Sequence, residues 1–146
     1  MFSIRPCIET DLPPCGALLQ EIYAEPPYSE SWPESRATAY LESFFRMDSE
    51  GALVATVEGK IIGAVLGFSY PWHTGSVVFI QELFVARQYR GKGIARNLVT
   101  QMVEKKSMGS HVALIVRKGT VAAKFYEKFG LSKSTLYELR SGKICV

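Results

Sequence analysis

Hydrophobic and polar positions along the 146-residue chain follow two different periods. Alternating or continuous runs of β-branched and aromatic residues predict strands at residues 2–5, 52–57, 60–68, 77–85 and 111–116. Apolar residues at helical spacing predict helices at residues 11–24, 33–46, 93–106 and 120–129, with Thr10 or Asp11 capping the first. A strand-like tail follows the last helix, with a final edge strand at residues 143–146.

Turn-forming residues separate these elements. The prolines of EPPYS, residues 25–29, end the first helix because proline removes a backbone donor and disfavours helix before it. Glu58 and Gly59 fit a hairpin turn, SYPWHTG at residues 69–75 is predicted to be a loop, and Gly130 should close the last helix. The order β-α-α-β-β-β-α-β-α-β predicts one domain, residues 1–146, with a mixed α/β (α+β) sheet and helices on both faces. Residues 77–116 should form a right-handed parallel crossover.

Composition and cysteine usage exclude several classes of protein. No apolar run approaches the roughly 20 residues that a membrane span needs, and the N-terminus does not resemble a signal peptide. Three scattered cysteines, Cys7, Cys15 and Cys145, predict free thiols in a reducing cytosol, and hence a cytoplasmic protein with no membrane partner. His73 and His111 lack partners at ligand spacing, so no metal site is expected.

Charge is distributed unevenly despite a net charge of only +3. Residues 87–106 carry six basic residues and one acid, whereas residues 9–50 carry nine acids and two arginines. Such a chain can hold a polyanion in its cationic zone and a cation in its acidic zone, although solvated helix faces would have the same composition. The basic residues form one short stretch without interleaved aromatic residues, so no nucleic-acid partner is expected.

The turn between the predicted strand 77–85 and the predicted helix 93–106 is the most informative segment. Gly91 and Gly93 permit positive φ and close backbone approach, and a helix N-terminus offers unpaired N–H groups at the positive end of its dipole. With Arg90 and Lys92 beside them, these features predict a pyrophosphate site, and a tight strand–helix turn is the alternative. The GK[ST] ending of a Walker loop is absent, and Arg96 replaces the third glycine of the dinucleotide fingerprint.

Two segments resemble the signatures of one family. QYRGKG at residues 88–93 matches the Q/R-x-x-G-x-G/A signature of the GNAT acetyltransferases, and KFYEKFGL at residues 124–131 is similar to their LYEKxGF signature. ELFV at residues 82–85 looks like the family's fourth strand, and the resemblance covers essentially the whole chain. It implies a mixed sheet of six to seven strands flanked by about four helices, with the fourth and fifth strands splayed apart.

The resemblance also implies an acetyl-CoA-dependent N-acetyltransferase, with acetyl-CoA as co-substrate. In such proteins the pantetheine arm enters the gap between the splayed strands, and amides of the glycine turn hold the pyrophosphate. Carried over to this sequence, the pantetheine residues are Leu83, Phe84 and Val85, and the pyrophosphate residues are Gln88, Arg90, Gly91, Lys92, Gly93, Ile94 and Ala95. Many members have an asparagine where this chain has Gly119, so that contact is either missing or replaced by Thr120.

Two side chains are candidates for proton transfer when an amine attacks the thioester. Tyr126 aligns with the tyrosine that family members direct at the sulfur, so it is the candidate acid, with core packing as the alternative. Glu82 interrupts an apolar run, where a carboxylate is costly without a function or a partner, so it is the candidate base. A salt bridge with Arg87 or Arg117 is the structural alternative for Glu82.

Other residues have weaker predicted roles. Gln81 is expected on the strand face opposite Glu82, His73 is expected to be an exposed loop residue rather than a second base, and His111 should begin a strand. The acceptor site is predicted between the first two helices, where aromatic residues can wall a pocket and acids favour a cationic amine. The aromatic residues are Tyr23, Tyr28, Trp32, Tyr70 and Trp72, and the acids are Glu25, Glu30 and Glu34.

The leading hypothesis is therefore acetyl transfer from acetyl-CoA to a primary amine by direct attack, with a small cationic molecule favoured as acceptor. The alternatives are a protein or peptide N-acetyltransferase and a non-catalytic acyl-CoA-binding module. A homodimer is compatible with each of these functions. The sequence does not identify the acceptor.

Overall fold

A computed structural model describes residues 1–107 and 111–145, except for the side chain of Ser107. These residues belong to two compact units, Met1–Leu114 and Ile115–Val146. The first unit contains β1 (Ser3–Pro6), α1 (Leu12–Ala24), α2 (Glu34–Met47), β2 (Ala52–Val57), β3 (Lys60–Trp72), β4 (Gly75–Val85), α3 (Ile94–Ser107) and β5 (His111–Leu114). The second unit contains α4 (Val121–Lys128). The single domain therefore stays a prediction.

The sheet is open and follows chain order from β1 to β5. The first four strands form an antiparallel meander, and β5 runs parallel to β4, as predicted for a crossover through α3. The register between β4 and β5 runs only from Val77 and His111 to Ile80 and Leu114. β4 continues to Val85 beyond that point, which agrees with the splay that the resemblance implies.

The two faces of the sheet carry different helices. Leu66 belongs to the core that α1 and α2 cover, and its neighbour Gly67 points the opposite way because side chains alternate along a strand. On that other side Met102 of α3 packs so closely that a Cβ atom at Gly67 would lie 2.4 Å from its Cε atom. Buried residues of the α1–α2 core are Cys7, Leu12, Cys15, Leu19, Ala37, Leu41, Ala52, Val54, Ala64, Leu66 and Phe84.

The four predicted helices are correct to within one residue at each end. Asp11 ends a short 3-10 turn before α1, and Thr120 caps α4 by accepting a hydrogen bond from the Ala123 N–H at 3.1 Å. Gly130 closes α4 at φ +95°, with its N–H donating to the Glu127 carbonyl. The Thr120 cap and the Gly130 closure are therefore confirmed, whereas Asp11 precedes α1 without a side-chain capping hydrogen bond.

Several strand predictions are wrong. The described residues form five strands rather than six to seven, because residues 131–145 contain none; Val146, the end of the predicted edge strand, lies outside them. A strand needs a partner as well as a suitable pattern, and a pattern cannot supply the partner. Residues 69–72, predicted to be a loop, continue β3 and pair with β4, leaving His73 and Thr74 as the turn. The predicted strand 111–116 ends at Leu114.

Three further observations bear on the composition. Cys7 and Cys15 are buried thiols of the first unit, and Cys145 is an exposed thiol of the second. Across residues 1–107 and 111–145, no helix is long and apolar enough to cross a membrane. The same residues contain no group of three or more side chains suited to hold a metal ion.

Candidate active site

A β-bulge in β4 determines which of its side chains reach the α1–α2 face. In the pairing with β3, Leu66 lies opposite Glu82 and Gly67 lies opposite Ile80, so Gln81 is the extra residue. Gln81 and Glu82 therefore both contact residues of α1 or α2. The expectation that Gln81 lies on the opposite face is wrong, because strict alternation is interrupted at the bulge.

Glu82 is held by tyrosines from both helices. Tyr23 of α1 donates its hydroxyl proton to Glu82 Oε2 at 2.8 Å, and Tyr40 of α2 donates to Glu82 Oε1 at 2.8 Å. Gln81 Nε2 donates to the Tyr40 hydroxyl oxygen at 3.0 Å. All four side chains are partly buried. Three separate elements thus fix the position of one carboxylate.

The surroundings of Glu82 favour its neutral form. Burial raises the pKa of the Glu82 carboxyl, hydrogen bonds from Tyr23 and Tyr40 oppose that rise, and the negative charge of Glu30 adds to it. Burial and the Glu82 charge raise the pKa of both tyrosine hydroxyls above the ordinary value, so these groups remain proton donors. A carboxylate with a raised pKa is better matched to proton transfer near neutral pH than an ordinary one.

Arg87 does not form the predicted salt bridge with Glu82. Its Nε atom lies 3.6 Å from Glu25 Oε2, in the loop that follows α1, and its side chain is 75% exposed. The structural alternative that paired Arg87 with Glu82 is therefore wrong. The exposed pair instead joins the α1–α2 loop to the turn after β4.

Aromatic residues from α1, α2 and the loop between them lie beside Glu82. The Tyr23 and Tyr28 ring centroids are 4.8 Å apart, and those of Trp32 and Tyr40 are 5.1 Å apart. Trp32 Nε1 donates to Glu30 Oε1 at 2.8 Å. The backbone N–H of Glu30 donates to the Tyr23 carbonyl at 2.7 Å, which folds the loop back over the end of α1. These contacts bring the aromatic rings together, and their role as the wall of an acceptor site stays a prediction.

Tyr40 is the functional candidate that the sequence reasoning missed. It lies on the inner face of α2, where its ring looks like one more apolar residue of an amphipathic helix. A tyrosine at such a position needs a partner for its hydroxyl group, and a carboxylate in an apolar strand needs a donor. Matching these two requirements across the sequence could have paired Tyr40 with Glu82.

Tyr70 and Trp72 lie farther along the sheet, at the end of a row of ring contacts that runs from Tyr40 through Phe44 and Phe68. They pair with Val77 and Gly75 near the tip of the β3–β4 hairpin. Tyr70 follows Leu66, the residue opposite Glu82, by four positions on β3, which is roughly 13 Å along the strand. The presumed loop is a hairpin, and the expectation that both residues wall the acceptor site stays a prediction. His73 is exposed at the hairpin turn, and His111 begins β5 as predicted.

The glycine turn after β4 has the backbone that the sequence predicted. Gly91 adopts φ +78° and Gly93 adopts φ +79°, and α3 begins at Ile94 immediately afterwards. A Cβ atom at Gly91 would meet nothing within 4 Å, so the dihedral angle rather than crowding requires glycine. The amides of Ile94 and Ala95 have no acceptor within the helix, by the geometry of helix ends. They can bind an anion.

Side chains of the turn place positive charge beside these amides. Arg90 is exposed, and its Nε atom donates to the Val85 carbonyl at 2.9 Å. Lys92 is exposed as well, with its Nζ atom 5.6 Å from the centre of the Tyr89 ring. Gln88 lies in the short 3-10 turn that precedes them. The arrangement is suited to a phosphate group.

Backbone groups of Leu83 and Val85 face the outer edge of β4. The Ala86 N–H donates to the Ile62 carbonyl of β3 at 2.8 Å. Because backbone groups alternate in direction along a strand, those of Phe84 also point toward β3, and those of Leu83 and Val85 point away from it. The side chain of Phe84 is buried in the α1–α2 core. Leu83 and Val85 are therefore the better placed of the three predicted pantetheine residues, and their role stays a prediction.

The second unit contains the other signature. Tyr126 is buried on α4, with its ring centroid 5.2 Å from that of Phe125. The hydroxyl of Thr120 donates to the Arg117 carbonyl at 2.8 Å while it caps α4. Both hydrogen bonds of the Thr120 hydroxyl are thus at the end of α4, and its replacement of the family's asparagine stays a prediction. The acid role of Tyr126 stays a prediction.

Comparison with known proteins identifies the family. The model of the Acetyltransferase (GNAT) family matches residues 17–131, so the chain belongs to this family. The uncharacterized N-acetyltransferase YkwB of Bacillus subtilis is 26% identical over 70% of this chain and 54% of its own length. L-2,4-diaminobutyric acid acetyltransferase of Virgibacillus pantothenticus is 32% identical over 41% of this chain and 37% of its own length. The chain thus spans about half the length of these relatives or less.

Solved structures share the fold. A possible acetyltransferase from Clostridium difficile superimposes with a TM-score of 0.79 and 19% identity, over 100% of this chain and 99% of the other. Glucosamine-6-phosphate N-acetyltransferase from Arabidopsis thaliana superimposes with a TM-score of 0.69 and 21% identity, over 98% of this chain and 99% of the other. At such identities the similarity establishes the mixed α/β fold alone.

Proposed function

We propose that this protein transfers an acetyl group from acetyl-CoA to a primary amine by direct attack. The observation that carries the proposal is Glu82, a partly buried carboxylate whose two oxygens accept hydrogen bonds from neutral hydroxyl groups. Among the residues that the structure describes, Glu82 is in no ion pair, so it does not stabilise the fold by charge pairing. Membership of the acetyltransferase family supplies the reaction in which such a group acts as a base.

Acetyl-CoA is the proposed acetyl donor, and it supplies the thioester that the amine attacks. The positive φ of Gly91 and Gly93, the α3 N-terminus and the flanking cations suit its pyrophosphate. The outward backbone groups of Leu83 and the N–H of Val85 suit the pantetheine amides, whereas the Val85 carbonyl already accepts a hydrogen bond from Arg90. The proposed binding residues are Leu83, Phe84, Val85, Gln88, Arg90, Gly91, Lys92, Gly93, Ile94 and Ala95.

Glu82 acts on the amine before attack. An ammonium group with a pKa near 10.4 is almost wholly protonated at neutral pH and cannot attack a carbonyl carbon. Glu82 takes that proton, directly or through a water molecule. Tyr126 is the proposed donor of a proton to the departing thiolate. Tyr126→Phe should therefore lower turnover by about 10²–10⁴ without weakening acetyl-CoA binding.

The proposed acceptor is a small cationic amine. Aromatic rings of Tyr23, Tyr28 and Trp32 lie together with the carboxylate of Glu30 beside the proposed base. Aromatic faces and carboxylates attract ammonium groups. The diaminobutyric acid acetyltransferase named above acts on a small amine, which is in line with this choice.

Thermal unfolding with acetyl-CoA tests the donor site. A ligand at 100 times its dissociation constant should add about 2.7 kcal/mol of stability. Gly91→Val should abolish this gain, because valine resists φ +78° and would reshape the turn. Gly59→Val is a matched control, since Gly59 also has φ +78° and open space around its Cβ position but lies in the β2–β3 hairpin. Absence of any shift at millimolar acetyl-CoA would contradict the proposal.

Release of free coenzyme A thiol in the presence of diamines, amino acids and peptides tests the transfer. Small cationic amines should support release, and Glu82→Gln should not. Release with peptides alone would replace the small acceptor by a protein or peptide. Binding of acetyl-CoA without release for any amine would make the protein an acyl-CoA-binding module.

A further inference from the structure

We propose that Tyr23, Tyr40 and Gln81 are positioning residues, which hold Glu82 as an aligned carboxylate ready to take a proton from the acceptor amine. The inference rests on the proposed function, because it concerns the base of that reaction. It assigns a role to Tyr40 and to the bulge residue Gln81, which the family signatures do not include.

The direction of each hydrogen bond follows from the number of protons available. An ionised carboxylate can only accept, and a phenol has one proton to donate. Because Gln81 Nε2 donates to the Tyr40 oxygen at 3.0 Å, the single proton of Tyr40 is left for Glu82 Oε1 at 2.8 Å. The Gln81 amide oxygen could not replace the amide nitrogen here, because it can only accept a hydrogen bond and the single proton of Tyr40 is already donated to Glu82. Gln81 thereby fixes the orientation of Tyr40.

The two carboxylate oxygens are held separately. Tyr23 reaches Oε2 from α1, and Tyr40 reaches Oε1 from α2, each at 2.8 Å. Two contacts on different oxygens fix the rotation of the carboxylate plane, which one contact would not. Each oxygen keeps a further lone pair, so Glu82 can still accept a proton from an amine or a water molecule.

These hydrogen bonds act against the other groups that face Glu82. Burial and the charge of Glu30 both favour the protonated carboxyl, and Tyr28 reaches this cluster through its ring contact with Tyr23. Charge-assisted hydrogen bonds from the two tyrosines favour the ionised form. Removing a hydroxyl group should therefore leave Glu82 protonated over a wider range of pH.

A purely structural role predicts a different outcome for the reaction. A hydrogen bond to an ionised carboxylate lowers its pKa whatever purpose it serves, so the carboxyl titration of Glu82 shows whether the two bonds form in solution. If Glu82 and its tyrosines only attached α1 and α2 to the sheet, the acidic limb of kcat/KM would stay in place when the titration moves. A positioning role moves the titration and the acidic limb together, so the two measurements separate the roles.

The experiment follows the ¹³C resonance of the Glu82 carboxyl with pH in the full chain, with Glu82→Gln used to assign the signal. In Tyr23→Phe and in Tyr40→Phe the midpoint should move to higher pH, and in Gln81→Met it should move in the same direction by less. Tyr70→Phe is the matched control, because it removes a tyrosine hydroxyl from the same unit roughly 13 Å along the sheet from Glu82. Its midpoint should equal that of the unaltered protein.

With an acceptor in hand, the acidic limb of kcat/KM should move with the midpoint, and rates on that limb should fall roughly tenfold for each hydroxyl group removed. An unmoved midpoint in both folded tyrosine variants would overturn the inference, even if both melt at lower temperature. If one variant fails to fold, the other tyrosine variant and Gln81→Met decide. A midpoint that moves while Glu82→Gln keeps full activity would instead overturn the proposed base, and with it the positioning role.

Discussion

Two carboxylates of the first unit have opposite surroundings. Asp11, just before α1, is buried and receives two hydrogen bonds from the Arg5 guanidinium, at 2.7 and 2.9 Å, and one from the Ile8 N–H at 2.9 Å. The Arg5 guanidinium holds the pKa of the Asp11 carboxyl below its ordinary value. Glu82, on β4, receives two hydrogen bonds from neutral hydroxyl groups, and burial raises its pKa.

The difference separates a structural acid from a candidate catalytic one. A carboxylate with a lowered pKa is more stable as an anion in the folded chain than in the unfolded chain, so Asp11 stabilises the fold at neutral pH. A carboxylate with a raised pKa does the opposite, so Glu82 weakens the fold whenever it is ionised. Carboxylates kept at such a cost are candidates for function. The charge of the hydrogen-bond donor, rather than burial alone, distinguishes Asp11 from Glu82.

The largest expected effect is the loss of activity in Glu82→Gln. Acetylation of a protonated amine at neutral pH should fall by about 10²–10⁴, because general-base assistance is lost. The rate should then keep rising with pH toward the pKa of the amine, since only spontaneously neutral amine reacts. Initial rates of thiol release over a wide pH range measure this. Wild-type activity at neutral pH in a folded Glu82→Gln protein would eliminate Glu82 as the base.

Asp11→Asn is the matched control for that experiment. It makes the same carboxylate-to-amide change at the other acid. The shape of its pH–rate profile should equal that of the unaltered protein, because Asp11 contacts Arg5 and Ile8 rather than the proposed site.

The next effect in size is on stability. Asp11→Asn should lower the free energy of unfolding by about 1–2 kcal/mol at neutral pH, a modest figure because the Arg5 side chain is 41% exposed. For a chain of this length the melting temperature should fall by about 3–6 °C. The deficit should shrink as pH falls below the ordinary aspartate value of about 3.9, because there the unaltered protein loses its ionised Asp11 too. A deficit that persists at acid pH would point to packing instead.

The helices and the first four strands could be predicted because local signals determine them. Prolines, the Thr120 cap, the Glu58–Gly59 turn and the periodicity of apolar residues all act over a few positions. The hairpin at residues 69–75 was mispredicted because Pro71 and Gly75 look like loop residues, while the cross-strand pairing that overrides them is not local. The strand predicted for the tail was wrong for a related reason, because a residue pattern does not show which strand would pair with it.

The site could be predicted only in part. Gly91, Gly93 and Glu82 stand out because each is unusual for its place in the chain. Tyr40 could not be identified in this way, because a tyrosine on an amphipathic helix is ordinary until its hydroxyl partner is known. The position of Gln81 depends on a bulge between β3 and β4, and bulges depend on strand register rather than on composition.

A smaller effect should appear as opposite pH slopes of stability in Glu82→Gln and Asp11→Asn. Because the folded-state pKa of Glu82 is raised, its contribution to stability is fully present below the unfolded value of about 4.3 and is lost as pH rises through the folded value. The stability of Glu82→Gln relative to the unaltered protein should therefore increase across this window and then level off. Denaturant unfolding at a series of pH values measures the difference, and a flat difference would mean that the pKa of Glu82 is not raised.

The smallest expected signal concerns the tyrosine hydroxyl groups themselves. Burial and the charge of Glu82 raise the pKa of Tyr23 and Tyr40, so both should remain protonated at pH values where an exposed phenol, near 10, already ionises. Ionisation then favours the unfolded chain, in which both phenols are exposed, so these two should ionise only as the protein unfolds at alkaline pH. Tyrosinate absorbance is measured in the unaltered protein and in the double variant Tyr23→Phe/Tyr40→Phe. The difference between the two gives the titration of Tyr23 and Tyr40 separately from that of the other five of the seven tyrosines. In Glu82→Gln, which removes the nearby negative charge, the same two groups should ionise at lower pH. If they titrate in the native protein near pH 10, the hydrogen bonds to Glu82 are not maintained in solution, and Glu82 then has surroundings closer to those of an ordinary surface acid.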